Sequence, residues 1–289
     1  MIPKIISSEE RKKKVWSLVT ACLLVTLISV GVGIYLVKEK RSESFLSRGN
    51  FWRPSTGTPW QIVLNGALED QSNDAPIYDV DLFLNGAEVV RNLHASGKKV
   101  ICYFSAGSFE PYRPDTNQFH ASDLGRQLVG WPDEYWLDTN SHNIRNIMRS
   151  RLKYAARIGC DGVDPDNIDA YDNANGLGLT ATDAISFLKF LATEAHGLNL
   201  SIGLKNAGYL VPFVLDFMEW EVNEQCLQFR ECGKFQPFIE TGKPVFHIEY
   251  ADVVPGVSST LNSLCGEEEA RGFSTVLKHS QLDNWALNC

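Results

Sequence analysis

Four aspartates crowd one short stretch near the middle of the 289-residue sequence. They are Asp161, Asp164, Asp166 and Asp169, within CDGVDPDNIDAY at 160–171. Because side chains alternate across a strand, Asp164 and Asp166 share one face, and Asp166 lies nearer the carboxyl end. Crowded carboxylates repel one another, and folded chains keep them together mainly for a metal, a cationic ligand or proton transfer. We therefore expect the chemistry of this protein at this stretch.

Polar residues also end several other apolar runs. The candidates are Lys205 and Asn206, then Trp220, Glu221 and Glu224, and finally Glu249 and Tyr250. Carboxylates at strand ends suit two reactions: metal-dependent chemistry on Mg²⁺ or Mn²⁺, and glycoside hydrolysis by a pair of acids. Scarce histidines and many nearby aromatic residues favour glycoside hydrolysis, with no metal and no cofactor. A Schiff-base aldolase using Lys205 is disfavoured, because neighbouring carboxylates would raise the pKa of that lysine.

Eight apolar runs with helical patterns between them predict the fold. The predicted strands are 60–64, 80–84, 99–104, 162–166, 200–204, 217–222, 245–250 and 273–277, and the predicted helices are 86–96, 143–158 and 182–196. Strands separated by helices indicate parallel units, and eight of them predict an α/β protein with a (β/α)8 TIM barrel. An open doubly wound sheet is the alternative, but no Gly-rich loop follows the first strand.

An uncharged apolar run at 16–37 predicts a single N-terminal transmembrane helix. Its 22 residues reach roughly 33 Å as a helix, which is enough to cross a bilayer core. Basic residues are more numerous before the run than after it, so the positive-inside rule predicts a cytoplasmic tail at 1–15. Residues 38–58 then form a linker, and 59–289 form an extracellular domain of a single-pass type II plasma-membrane protein. A cleavable signal peptide is the alternative, although the run is long and no A-x-A site follows.

The predicted outer domain is strongly acidic. Of 27 basic and 35 acidic residues in the chain, 8 and 3 precede residue 42, which leaves 42–289 with a net charge of −13. This balance disfavours nucleic acid and anionic polymers as partners and suits a cationic one.

Six cysteines in this domain form an even set, as disulfides in an oxidising compartment require. Six cysteines allow 15 pairings, and the sequence alone does not choose among them. Proximity suggests Cys226–Cys232, the terminal Cys289 is expected to pair with Cys265, and Cys102–Cys160 is left by elimination.

An ordered series of motifs spans residues 59–289. They are WQI at 60–62, YDVD at 78–81, VICYFSAGS at 100–108, WPDEYWLD at 131–138, GVDPDN at 162–167, GLKN at 203–206 and EVNEQC at 221–226. In this order they resemble glycoside-hydrolase family 114, the endo-α-1,4-polygalactosaminidases. The anchored arrangement is also similar to that of a fungal member that cuts galactosaminogalactan. The resemblance implies a barrel with an acidic cleft, no metal, and a cationic galactosamine-containing polysaccharide as substrate.

The resemblance places the catalytic pair on Asp166 and Glu224. We expect retaining hydrolysis, with Asp166 as nucleophile and Glu224 as acid and then base, its pKa raised by the neighbouring negative charge. The carboxyl groups should then lie about 5–5.5 Å apart, whereas about 6.5–9.5 Å would indicate inversion. The candidates for substrate binding are Asp164, Asn167, Asn206, Glu249, Tyr103, Tyr250 and Trp220.

Two other functions stay open on the sequence alone. One is a carbohydrate-binding barrel at the cell surface that does not cut its ligand. The other is a hydrolase of a different α-galactosidic polymer, which the same two carboxylates could also serve. We expect a monomer in each case.

Overall fold

The computed structural model describes residues 50–251 and 264–289. The predicted tail and apolar span, residues 1–37, and most of the predicted linker lie outside this part. Within the described ranges, no helix is both long and apolar enough to cross a membrane.

A nearly closed, barrel-like sheet forms the body of the described chain. The strands are β1 (Trp60–Val63), β2 (Ile77–Asp81), β3 (Lys99–Ser105), β4 (Ser108–Phe109), β5 (Leu124–Gln127), β6 (Tyr135–Leu137), β7 (Gly162–Asp166), β8 (Ser201–Lys205), β9 (Trp220–Glu224), β10 (Val245–Tyr250), β11 (Ser274–Lys278) and β12 (Leu287–Asn288). Nine of these strands pair in the order β1-β2-β3-β7-β8-β9-β10-β11-β12. Every neighbouring pair is parallel except the last, so the eight predicted parallel strands are present.

The first and last parallel strands meet through individual hydrogen bonds. The indole nitrogen of Trp60 on β1 donates to the carbonyl of Ser274 on β11 at 2.8 Å. Beyond the strand ends, the amide of Leu64 donates to the carbonyl of Leu282 at 3.0 Å. These contacts bring the edges of the sheet together, which makes the arrangement TIM-like.

Helices cover the outside of this sheet. They are α1 (Ala87–Ala95), α2 (His142–Ile158), α3 (Ala181–Gly197), α4 (Val211–Val214), α5 (Cys226–Phe229) and α6 (Gln236–Glu240). The three long helices match the predicted ones to within one residue at each end, because their terminal signals are local. The hydroxyl of Ser141 caps α2 at its amino end, and Gly159 in the left-handed conformation ends it. The helices after β8 and β9 are single turns rather than full barrel helices.

A small three-stranded sheet, which the sequence pattern did not predict, interrupts the connection between β3 and α2. It pairs in the order β4-β6-β5, with antiparallel neighbours. Trp136 and Leu128 of this insertion pack with Ala170 and Leu179 in a separate small core. The insertion follows the carboxyl end of β3, so its loops stand beside the functional end of the barrel.

The barrel interior is closed below by aromatic side chains. Trp220 on β9 packs there with Trp60 and Phe246. Its indole lies over Gly162 and Gly203, since a Cβ built on Gly203 would fall 1.9 Å from the indole nitrogen. The glycines therefore make room for the ring, and the ring forms a floor.

All three predicted disulfides are confirmed. Cys102 pairs with Cys160, Cys226 with Cys232 and Cys265 with Cys289, with Cα–Cα separations of 6.0, 4.8 and 5.4 Å. The first bond links β3 to the residues that enter β7, so it joins two strands whose far ends carry polar cleft residues.

Candidate active site

A cleft of about 450 Å³ opens at the carboxyl ends of the parallel strands. Six of the predicted site residues line it: Tyr103, Asp166, Asn167, Asn206, Glu224 and Tyr250. Three others, Asp164, Trp220 and Glu249, are buried elsewhere. The structure therefore brings the predicted catalytic pair into one cavity with four of its predicted neighbours.

Asp166 ends β7 at the base of the cleft. One carboxylate oxygen accepts a hydrogen bond from the Tyr103 hydroxyl at 3.0 Å, and the other accepts from the backbone amide of Asn167 at 2.7 Å. Burial raises the pKa of Asp166, and the charge of Glu224 adds to this, although Lys205 and the two hydrogen bonds oppose the rise. The carboxyl is thus held in place by two donors, and it retains a proton more readily than an exposed aspartate.

Glu224 ends β9 and is held from both sides. The Tyr250 hydroxyl donates to one carboxylate oxygen, and the Asn206 amide donates to the other at 2.9 Å. Burial acts to raise the pKa of Glu224, but Lys205 and these two donors outweigh it, so the pKa lies below its ordinary value. The expectation of a raised pKa at Glu224 is therefore not met in the ligand-free cleft, because donors and a lysine surround the carboxylate.

The chain turns sharply directly after each of these cleft strands. Asn167 follows Asp166 with φ of 58°, Asn206 and Ala207 follow β8 at 50° and 52°, and Gln225 follows Glu224 at 64°. These positive angles are uncommon for residues other than glycine and tend to occur at functional sites. The turns direct the backbone away at once, which leaves the strand-end side chains facing the cleft.

Lys205, at the end of β8, places a buried cation among the carboxylates. Its amine donates to Asp164 at 3.1 Å, and both side chains are almost completely inaccessible to solvent. Burial acts to lower the pKa of Lys205, but Asp164, Glu224 and Asp166 raise it well above the ordinary value. The lysine therefore stays charged, which argues against a Schiff-base role, as the sequence indicated.

Asp164 lies one layer below Asp166 and shares its surroundings with Asp79 of β2. Burial raises the pKa of Asp164 to about 6, against the opposing effect of Lys205. Both oxygens of Asp79 and one oxygen of Asp164 have no hydrogen-bond donor among the described residues. Burial and the charge of Asp164 raise the pKa of Asp79 well above its ordinary value. The raised pKa favours a protonated Asp79, whose carboxyl O–H could donate to the unpaired oxygen of Asp164.

Glu249 and Trp220 occupy different layers of the fold. Glu249 points outward from β10 and accepts hydrogen bonds from His247 at 3.0 Å and from the amide of Leu227 at 2.9 Å. Trp220 faces inward but near the amino end of β9, where it forms the floor described above. Neither side chain reaches the cleft in this structure.

One cleft wall, built by the three-stranded insertion and its neighbours, was mostly not predicted from the sequence. Arg113 bridges Asp81 and Glu110, with 2.7 Å to a carboxylate oxygen of each. The Tyr112 hydroxyl donates to Glu110 at 2.9 Å, and Glu134 lies beside it. Both segments, DVD at 79–81 and FEPYR at 109–113, are rich in charged residues. Only the fold shows that Asp81 and Arg113, which are far apart in sequence, lie in one wall.

One group of potential metal ligands occurs within the described ranges, formed by Cys226, Cys232 and His247. The two sulfurs form a disulfide, and they offer no thiolate to a metal. The cleft donors are carboxylates already engaged by tyrosine, asparagine and lysine.

Comparison with known proteins gives the class of this site. A glycoside-hydrolase family GH114 model matches residues 42–289. A crystal structure of Aspergillus fumigatus Ega3 in complex with galactosamine is 51% identical, with a TM-score of 0.79, covering 83% of this chain and all of that one. The glycoside hydrolase domain of PelA from Pseudomonas aeruginosa is 13% identical with a TM-score of 0.65, over 80% of this chain and 98% of that one, and supports the fold. Among curated proteins there is no match.

The acidic cleft in a TIM-like sheet is thus that of a glycoside hydrolase. The chain belongs to glycoside-hydrolase family GH114.

Proposed function

We propose that this enzyme cuts α-1,4-linked galactosamine within a cationic polysaccharide of the galactosaminogalactan type. One observation carries the proposal: Asp166 and Glu224 face one cleft, each held by a tyrosine and a backbone or side-chain amide. Two positioned carboxyls are the machinery of glycoside hydrolysis. The similar Ega3 was crystallised in complex with galactosamine, which supports the same sugar here.

The proposed reaction proceeds in two steps. The Asp166 carboxylate attacks the anomeric carbon, the bond to the leaving oxygen breaks, and the proton of Glu224 passes to that oxygen. A water then attacks the same carbon, Glu224 takes its proton, and the bond to Asp166 breaks. Two inversions at one carbon retain its configuration.

The substrate itself supplies the charge that this sequence of steps needs. In the free cleft, the pKa of Asp166 is raised and that of Glu224 is lowered from their ordinary values, which is the reverse of what a nucleophile and an acid need. Galactosamine carries its ammonium on the carbon next to the anomeric carbon, close to the attacking carboxylate. An adjacent cation lowers a carboxyl pKa. Binding of the cationic sugar therefore favours the ionised form of Asp166, as its proposed role as nucleophile requires.

The pKa directions in the free cleft favour a second assignment, in which Asp166 is the acid and Glu224 the nucleophile. Galactosaminyl fluoride separates the two, because fluoride leaves without a proton. Under the first assignment, Glu224→Gln keeps its first step on the fluoride and Asp166→Asn loses it. The reverse pattern would establish the exchanged roles.

The central experiment incubates the enzyme with partially deacetylated galactosaminogalactan and measures released oligosaccharides. Wild type should release them, and both Asp166→Asn and Glu224→Gln should not. Asp133→Asn, which alters an exposed acid on the insertion, is the matched control and should behave as wild type. Equal release by all four proteins would refute the assignment, and release from a neutral galactan alone would identify another polymer as substrate.

We also propose that the run at 16–37 anchors the enzyme as a type II plasma-membrane protein, with the catalytic domain outside. The three disulfides support an oxidising location for that domain. Alkaline carbonate extraction of membranes should leave the full-length chain in the pellet, and protease added to intact cells should remove the domain. Release by carbonate would contradict the anchor.

A further inference from the structure

Three aromatic side chains line up beside the cleft, outside its lining. Tyr171 and Tyr209 have ring centroids 6.3 Å apart, and Tyr209 and Phe213 have centroids 6.2 Å apart. We call these three residues the aromatic ridge. Tyr209 is 64% exposed and Phe213 is 55% exposed, so burial in the protein core does not account for these two rings.

The ridge continues directly from the cleft. Tyr171 lies two residues after Asp169 and Tyr209 three residues after Asn206, and both Asp169 and Asn206 line the cavity. The segments concerned follow β7 and β8, neighbouring strands whose carboxyl ends open into the cleft. A polymer leaving the cleft on this side would therefore pass over the three rings in turn.

Carboxylates flank the ridge at its cleft end. Asp169 lies two residues before Tyr171 and Asp172 one residue after it, and their charges add to the burial that raises the pKa of Tyr171 to about 12. The side chain of Lys234 lies beside the turn before Tyr209, and its amine pairs with the Glu231 carboxylate at 2.7 Å. Aromatic faces beside acidic groups attract ammonium ions. This combination suits an amino sugar better than a neutral one.

We propose that the aromatic ridge is an outer binding site for further galactosamine units of the same polymer chain, beyond the units held in the cleft. The inference rests on the proposed function for the nature of the polymer. Each ring would bind the apolar face of a sugar and its ammonium, and a cation on an exposed ring contributes roughly two- to fivefold in affinity. Removal of two rings should weaken polymer binding about tenfold.

The test compares Tyr209→Ala/Phe213→Ala with the unaltered enzyme on long galactosaminogalactan and on short galactosamine oligomers. The double variant should show a KM for the polymer raised about tenfold, with kcat and all constants on the short oligomers unchanged. Phe229→Ala, which removes an equally exposed ring outside the ridge, is the matched control and should alter neither substrate. An unchanged KM for the polymer, or an equal rise in the KM for the short oligomers, would refute the proposal that the aromatic ridge is an outer binding site.

Binding measured without turnover separates this proposal from the proposed function. On an Asp166→Asn background, the ridge variant should bind the polymer about tenfold more weakly, as followed by titration calorimetry. Equal binding would refute the ridge even if wild type cuts the polymer. Weaker binding without any cutting by wild type would keep the ridge as a glycan site and refute the proposed hydrolysis.

Discussion

Asp164 and Asp166 lie two residues apart on the same face of β7 and near the same buried lysine, yet only one of them reaches the cleft. Asp166 reaches the cleft and is held by a hydroxyl and a backbone amide. Asp164 is buried one layer below, paired with Lys205 and next to Asp79, whose pKa is raised well above its ordinary value. The residue type and the face are the same, so depth along the strand alone separates a carboxyl available to substrate from one enclosed by the core.

Lys205 and Lys278 form a second contrast within the same interior. Both are buried, but Lys205 is surrounded by carboxylates, whereas Lys278 donates to the side-chain oxygen of Gln61 and the carbonyl of Asp283. Burial lowers the pKa of Lys278 to about 7, although the Asp283 charge acts against this. Partner charges, rather than burial as such, decide whether a buried amine stays charged.

The largest expected effect comes from changing a carboxyl that lines the cleft, in contrast to the carboxyl of Asp164 buried below it. Glu224→Gln should lower kcat by about 10³-fold or more, since positioned acid–base groups contribute factors of about 10² to 10⁴. The free energy of unfolding should change by less than about 1 kcal/mol, because glutamine can accept from Asn206 and donate to the Tyr250 hydroxyl, and one of the crowded charges is removed. Reducing-end release and urea unfolding give the two values. A fall in kcat of less than tenfold would contradict a catalytic role.

The next largest effect concerns the stability provided by the buried carboxyls below the cleft, Asp164 and Asp79. Asp164→Asn should lower the free energy of unfolding by about 3–5 kcal/mol, because it removes the partner of a buried lysine. Asp79→Asn is the matched control and should cost less than about 1 kcal/mol, since an amide replaces a carboxyl that already carries a proton. Equal losses in urea unfolding would show that Asp79 is ionised in the folded protein.

The contrast between the lysines predicts a pH dependence. The pKa of Lys278 is about 7 in the folded protein against 10.5 in the ordinary state, so between these values the unfolded chain binds more protons. Its contribution to stability therefore rises with pH across this window, by up to about 1.4 kcal/mol per unit. Lys278→Met should remove this rise when unfolding is measured at pH 7, 8 and 9. Parallel curves for both proteins would refute a neutral Lys278.

The smallest effect concerns the turn after β8. Ala207 has φ of 52°, a conformation that costs an L-residue roughly 1–2 kcal/mol. Ala207→Gly should raise the free energy of unfolding by up to about 1 kcal/mol, because the greater freedom of glycine in the unfolded chain offsets part of the relief. Ala156→Gly within α2 should instead lose about 1 kcal/mol. A loss at position 207 would mean that the turn is not strained.

The strands and long helices were predictable because their patterns are local. The prediction was least accurate at β2, placed at 80–84 but found at Ile77–Asp81. The apolar run continues past the strand, but the Asp81 carboxylate accepts from the amides of Phe83 and Leu84 at 2.8 and 2.9 Å and turns the chain. The three-stranded insertion was not predicted, because strands of two to four residues carry too little periodicity.

The sequence predicted which strand ends carry the site residues. It predicted less well which side of the sheet each side chain faces and how deep in the barrel it lies. Adjacent residues of a strand point to opposite sides, so Glu249 and Tyr250 cannot both face the cleft, and Tyr250 is the one that does. Trp220 lies on the same strand face as Glu224, but it is near the amino end of β9 and therefore forms the floor of the barrel instead of lining the cleft. The pairing of Arg113 with Glu110, three residues earlier, is local, whereas the contact of Arg113 with Asp81 needed the three-dimensional fold.

The bond between Cys102 and Cys160 has a consequence for where this enzyme can persist. It closes a loop of 58 residues, and a crosslink of that length removes about 4 kcal/mol of chain entropy from the unfolded state. In a compartment where glutathione keeps thiols reduced, this stabilisation is lost. The domain then unfolds more often, and proteases can cut the unfolded chain. The redox potential of the compartment therefore limits where the enzyme can persist, because the folded domain is more stable where the disulfide stays oxidised than where it is reduced.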